Sequence, residues 1–331
     1  MKTRLTELFG LSTPIALAPM AMASGGALTA ACAKAGALAL LGGGYADLAW
    51  TQREYRLACQ LASNPEQQSR IGCGFISWKL AEDASALDWV LDQARPPSAM
   101  MLSFGDPRPF AQRIAATGAK LICQIQRLDQ LPLAIEAGAH IIVAQGSEAG
   151  GHGMNALNGR SSLTLVPEIA DWLATHSPHT LLLAAGGVAD GRGLAAVLLL
   201  GADGALVGTR LWASQESLGL QGAKELAVAS SGDGTVRSRV FDILRQKNWP
   251  QPYDFRTLRN ALHRQWEERI AELEADPTAA RADYEEGARL LDFSRLHTTV
   301  GEAVGLVHNI PTAAELIERM NRELDQLLNR S

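Results

Sequence analysis

The stretch 181-LLLAAGGVADGRGLAAVLLLGADGALVGTR-210 contains two short apolar runs, Leu181–Ala185 and Gly204–Val207, separated by one helical segment, Gly191–Leu200. Neither run alternates with polar residues. That pattern suits strands buried on both faces, as in a parallel sheet. Gly201 stops the helix, and the next run follows almost at once. The same Gly-Ala stop recurs at Thr117-Gly118-Ala119 and Ala137-Gly138-Ala139. A βα unit repeated in this way favours a closed barrel over an open sheet.

Six more apolar runs precede this stretch: Pro14–Ala18, Ala37–Leu41, Ile71–Ile76, Ala99–Phe104, Lys120–Ile125 and His140–Ala144. Helical segments lie between runs, as at Ala27–Ala35, Pro109–Thr117 and Leu131–Ala137. The expected fold is α/β, a (β/α)8 TIM barrel over residues 1–216. Beyond about Ser217 the strand-like runs stop. Residues 217–305 are expected to form a helical cap inserted after strand eight, with Leu258–Leu273 as one amphipathic helix. Residues 306–331 should return to the barrel as a last helix. Its stripe of Leu316, Ile317, Met320, Leu324, Leu327 and Leu328 follows Pro311, which suits a first turn.

The 331 residues are 47% apolar and 20% charged, with a net charge of -5, as expected of a soluble globular protein. No Lys/Arg-rich block is present, which argues against a nucleic-acid surface. Cys32, Cys59, Cys73 and Cys123 form no Cys-x-x-Cys pair and no metal-ligand spacing, so free thiols and no metal are expected. The apolar region from Pro14 to Leu41 is interrupted by Pro19, Gly25-Gly26 and Lys34, which argues against a membrane span. A cytoplasmic location is the expectation.

In such a barrel the functional groups stand at the C-terminal ends of the strands. That rule selects Pro19-Met20, Ile76-Ser77-Trp78, Gln124, Gln145, Gly186-Gly187 and Gly208-Thr209. Glycines after strands seven and eight let backbone N–H groups approach an anion, and a helix start adds partial positive charge. One such turn would read as ordinary. Two favour a phosphate site. After strand six comes 143-VAQGSEAGGHGMN-155. Gln145 can offer both a donor and an acceptor to a flat heterocycle. Most single histidines in turns are simply solvated. His152, however, follows a strand end on the working face, and its ordinary pKa suits a base or a hydrogen-bond donor. Glu148 either orients this loop or is exposed, and Asn155 and Arg160 are weaker candidates. The other histidines show no i,i+4 pairing for a metal, and Met20 and the tryptophans read mainly as packing groups.

These segments, PIALAPM, VAQGSEAGGH and AAGGVADGRG with GADGALVGT, together with the tail 301-GEAVGLVHNIPTAAELI-317, resemble the nitronate monooxygenases, formerly called 2-nitropropane dioxygenases. The resemblance implies a barrel that holds FMN without a covalent bond, under a cap. It implies oxidation of alkyl nitronates such as propionate 3-nitronate with O2, a nitroalkane-detoxifying activity. The family's active-site histidine falls on His152. Its flavin contacts fall on Ala18, Pro19, Met20, Gln145, Gly150, Gly187, Leu206, Val207, Gly208 and Thr209, and Gln124, Gly151 and Gly186 complete the expected set. Two positions depart from the pattern. Many relatives carry Asn near the end of strand three, where this chain has Gly74-Phe75-Ile76-Ser77. Some carry Lys at the end of strand five, where it has Gln124; the change removes a positive charge near the flavin. The alternative on the same scaffold is an NAD(P)H:quinone reductase. The expected partners are small molecules and O2, with a homodimer as a candidate assembly.

Overall fold

Residues 1–328 are described by the computed structural model, and eleven strands are found among them. They are β1 (Ile15–Leu17), β2 (Leu38–Gly44), β3 (Ile71–Ile76), β4 (Ala99–Ser103), β5 (Lys120–Ile125), β6 (Ile141–Gln145), β7 (Gly151–Met154), β8 (Leu181–Ala185), β9 (Gly204–Val207), β10 (Thr235–Ser238) and β11 (Tyr253–Leu258). Eight form a closed parallel barrel in the order β1-β2-β3-β4-β5-β6-β8-β9, and β9 pairs back onto β1. The eight expected runs are these eight strands, with small differences at their ends. The fold is a TIM barrel.

The absence of alternation has its cause in two cores. Inward side chains such as Leu40, Met101, Ile122, Val143 and Leu183 fill the barrel. Outward neighbours such as Leu41, Leu102, Cys123, Ile142 and Leu182 pack under the surrounding helices. Each fully buried aliphatic side chain contributes roughly 1.5–3 kcal/mol of transfer free energy. Leu5, from the first helix Arg4–Phe9, joins the inner cluster and closes the N-terminal end. All four cysteines are free. No helix among the described residues is long and apolar enough to cross a membrane.

The last helix, Ala313–Leu328, buries Ala313, Leu316, Ile317, Met320 and Leu324, while Leu327 and Leu328 pack at the edge of the outer core. It lies against the Gly191–Leu199 and Gly26–Lys34 helices, and so seals the barrel where its last strand meets its first. A Cβ on Gly191 would stand 2.3 Å from Glu323 Cβ, so glycine is what permits this close approach.

The cap corrects two expectations. Strands do not stop at Ser217: β10 and β11 pair antiparallel, and β11 also pairs with β7. The resulting sheet has the order β10-β11-β7. The expected Leu258–Leu273 helix is instead the end of β11 followed by two short helices, Ala261–Trp266 and Ile270–Ala275. The physical reason lies in Asn260, whose side chain accepts from His263 N and starts a new helix two residues after the strand ends. Tyr253-Asp254-Phe255-Arg256-Thr257-Leu258 has period-two character, with Phe255 and Thr257 buried.

Candidate active site

At the C-terminal mouth the inward side chains become small or polar. Ser103 pairs beside Gln124, Gln145 beside Ala185, and Ala185 beside Leu206. Gly42 and Gly74 complete the ring. A Cβ on Gly42 would stand 2.1 Å from the Met20 carbonyl oxygen, and one on Gly74 2.4 Å from Pro19 Cγ. These glycines allow Ala18, Pro19 and Met20 to fold across the tops of β2 and β3. Ser24 locks that crossing: its Oγ donates to Ala18 O at 2.7 Å and accepts from Met20 N at 3.1 Å.

Three glutamines converge on one side of the mouth. The Gln145 carbonyl accepts from Gln124 Nε2 at 3.0 Å and from Gln126 Nε2 at 2.9 Å. Its own amide donates to the His152 carbonyl at 3.0 Å. Gln145 therefore ties β5 and β6 to β7, and its carbonyl is already doubly used. Among the described residues, the Gln124 carbonyl takes no donor and stays free as an acceptor.

The glycine turns lie beyond β8 and β9. Gly186 and Gly187 have φ of 101° and 77°, which side chains other than glycine rarely adopt. Among the described residues, the N–H groups of Gly187, Val188, Gly208 and Thr209 take no hydrogen-bond acceptor. Free N–H groups from two adjacent strand ends are what a phosphate requires. A Cβ on Gly208 would make ordinary van der Waals contact, with Ala18 Cβ and Met20 Sδ each 3.8 Å away. A cavity of about 340 Å³ opens beside Gly187, between Ser147, Glu148, Ser161 and Glu302. Thr209 Oγ1 accepts from Gly301 N at 2.9 Å, which leaves its hydroxyl hydrogen to donate. Leu206 faces the barrel interior. Val207 faces the outer core, so only its backbone reaches the site. These residues fit a flavin mononucleotide: free N–H groups for its phosphate, and a floor of small side chains beside a polar edge for its ring.

His152 sits on β7, opposite Phe255 of β11. Its ring stacks on Trp249 at 3.5 Å and on Phe255 at 4.5 Å. Its Nε2 is 2.9 Å from Asp242 Oδ1, and the two side chains are 8% and 5% exposed. Burial pushes the imidazole pKa down to about 4; Asp242 opposes this, while Arg245 and Arg237 reinforce it. The ring is therefore neutral at pH 7. A carboxylate only accepts, so Nε2 carries the hydrogen and Nδ1 is an acceptor. Around Trp249 stand Tyr45, Trp78, Phe104 and Tyr253, each edge-on to it. The Trp249 indole N–H donates to Tyr45 Oη at 2.9 Å.

Gly150 and Gly151 have a structural duty at this point. A Cβ on Gly150 would stand 2.5 Å from Gly301 N, so Gly150 lets the Val300-Gly301 backbone pass beside the loop. Gly151 has φ of 76° and starts β7. Glu148 orients the loop: its carboxylate accepts from Ser162 N at 3.1 Å and from Ser162 Oγ. Asn155 closes a local turn with Asn158, and Arg160 pairs with Glu168 on the surface. Neither joins the mouth.

Asp242, Trp249, Phe255 and Gln126 were not singled out by sequence reasoning. A signal existed. The segment 241-FDILRQKNWPQPYDF-255 carries Phe241, Trp249, Tyr253 and Phe255 in a chain that is only 5% aromatic.

Comparisons with known proteins agree with this architecture. Residues 81–323 match the nitronate monooxygenase family. The nitronate monooxygenase npaC of Metarhizium robertsii is 33% identical, over 94% of this chain and 90% of the relative. A nitronate monooxygenase of Neurospora crassa is 27% identical, over 95% and 89%. Among solved structures, FabK from Thermotoga maritima superposes with a TM-score of 0.82 at 25% identity, covering 100% of this chain and 98% of that one. The nitroalkane oxidase of Streptomyces ansochromogenes has the same fold, with a TM-score of 0.79 at 24% identity over 97% and 98% of the two chains. The chain belongs to the nitronate monooxygenase family, a family of oxidoreductases.

Proposed function

We propose that this protein oxidises alkyl nitronates, propionate 3-nitronate among them, with O2, using FMN held non-covalently at the barrel mouth. The observation that carries the reading is the buried, neutral His152 of the family's glycine-rich loop, at the same mouth as two turns with free N–H groups. FMN, when bound, supplies an acceptor for the substrate's electrons and passes them to oxygen.

The chain's own residues divide the work. Gly187, Val188, Gly208 and Thr209 hold the phosphate through backbone N–H groups. Ala18, Pro19 and Met20 support the ring, and Gln124 offers its free carbonyl to the ring's polar edge. His152, neutral, meets the substrate as a hydrogen-bonding and proton-accepting group. A nitronate is already a carbanion, so its oxidation needs no strong base. A neutral nitroalkane would need His152 to take its α-proton. Tyr45, Trp78, Phe104, Trp249 and Tyr253 exclude water from that side.

Anaerobic mixing of the FMN-loaded protein with propionate 3-nitronate should bleach the flavin within one turnover, and readmitted O2 should restore it. If NADH or NADPH bleaches the flavin and nitronate does not, the reading is wrong.

A further inference from the structure

We infer that Asp242 is a positioning residue for His152: it selects which imidazole nitrogen is protonated and which is left free. The inference rests on the role given to His152 above. Trp249 and Phe255 stack with the ring and fix its plane. Stacking cannot fix more than that. A 180° flip about the Cβ–Cγ bond puts Cε1 where Nε2 stands and Cδ2 where Nδ1 stands, and leaves both stacks intact. The 2.9 Å bond from Nε2 to Asp242 Oδ1 breaks this symmetry. It holds one ring orientation and one tautomer, with hydrogen on Nε2. Nδ1 takes no partner among the described residues and remains the ring's one available acceptor.

The setting of Asp242 supports a functional duty over a structural one. Its second oxygen, Oδ2, is buried and has no hydrogen-bond partner among the described residues. Its carboxylate makes no ion pair with Arg237 or Arg245, the cations whose fields reach His152. A buried carboxylate serving stability alone would be expected to pair with a cation or to satisfy both oxygens. Asp242 does neither, and its strongest contact is the imidazole. The carboxylate is also rigidly presented. It projects from the short helix Val240–Leu244, whose Val240, Phe241 and Leu244 are anchored in the cap core. It can stabilise positive charge on the ring should Nδ1 receive a proton, as the acidic member of a hydrogen-bonded triad does.

The test uses FMN-loaded protein with 15N-labelled histidine, and H152N identifies the His152 signals. At pH 7 the wild-type ring should show the Nε2–H tautomer with a bare Nδ1. D242A should convert it to a mixture of tautomers. The near-isosteric D242N guards against misfolding: it should lower the rate of flavin reduction by a neutral nitroalkane, whose α-proton the bare Nδ1 must take, about tenfold or more. FMN content and KM should change little. A wild-type Nδ1–H tautomer would overturn the inference, as would an unchanged tautomer and unchanged rate in both variants. If nitronate reduces no form of the protein, the functional reading fails by itself, and the tautomer spectra alone decide the role of Asp242.

Discussion

The His152 imidazole lies 3.5 Å from the Trp249 indole, with the two ring planes 10° apart. Trp249 comes from the cap and His152 from the loop after β6, so the cap itself keeps this imidazole dry. Replacing Trp249 by Ala should admit water and let the His152 pKa rise from about 4 toward its ordinary value. The wild-type ring stays neutral at pH 5.5, whereas the variant's would be largely protonated there. NMR titration of His152 reads this directly, and an unmoved pKa would show that burial by Trp249 is not its cause.

Gln145 is a structural hub as well as a strand-end residue. Gln145→Ala removes the acceptor of Gln126, whose side chain is buried. A buried amide left unpaired costs about 1–3 kcal/mol. Urea unfolding should show a lower midpoint for Gln145→Ala. Equal midpoints for wild type and Gln145→Ala would remove the hub role.

Gly208 offers a clean probe of the phosphate turn. A Cβ there meets Ala18 and Met20 only at ordinary contact distance, so the fold should accept Gly208→Asp with little change in melting temperature. A carboxylate beside the free N–H groups would repel a phosphate. FMN affinity should fall by about tenfold or more, a loss of roughly 1.4 kcal/mol or greater. Full FMN retention after gel filtration would place the phosphate elsewhere.

Stability should fall on the acid side. Burial lowers the pKa of His263 to about 4 and of His297 to about 3. In the unfolded chain both titrate near 6.5. Above about pH 6.5 both states are neutral and stability is unaffected. As pH falls below that value the unfolded state takes up protons first, so the folded state is penalised. At pH 5 the penalty is on the order of 2 kcal/mol per histidine. Denaturant melts at pH 7.5, 6 and 5 should show this decline, and His297→Gln should flatten it. A flat profile in the wild type would mean that the two rings are not held neutral.

The barrel was legible because its strands are buried on both faces and read as continuous apolar runs. The glycine turns were legible because Gly186-Gly187 and Gly208 follow such runs directly. The cap sheet was not, because β10 and β11 are polar on one side: Arg237 and Arg256 sit among their strand residues and donate to the Ser147 carbonyl and its neighbours. Such strands read as loop or helix until their partner is known. His152 could be placed at the mouth from its distance to a strand end. Asp242 could not, since 90 positions separate it from His152 and only the pairing of β11 with β7 brings them together.

That pairing has a consequence for engineering chimeras. The sheet order β10-β11-β7 makes β11 its middle strand and takes β7 from the barrel's own loop. A transplant of residues 217–305 into another barrel would carry β11 with one side open and leave the donor's His152 strand behind. The acceptor would then have to supply its own histidine strand in matching register. The transferable unit is discontinuous: the segment after β9 together with Gly151–Met154.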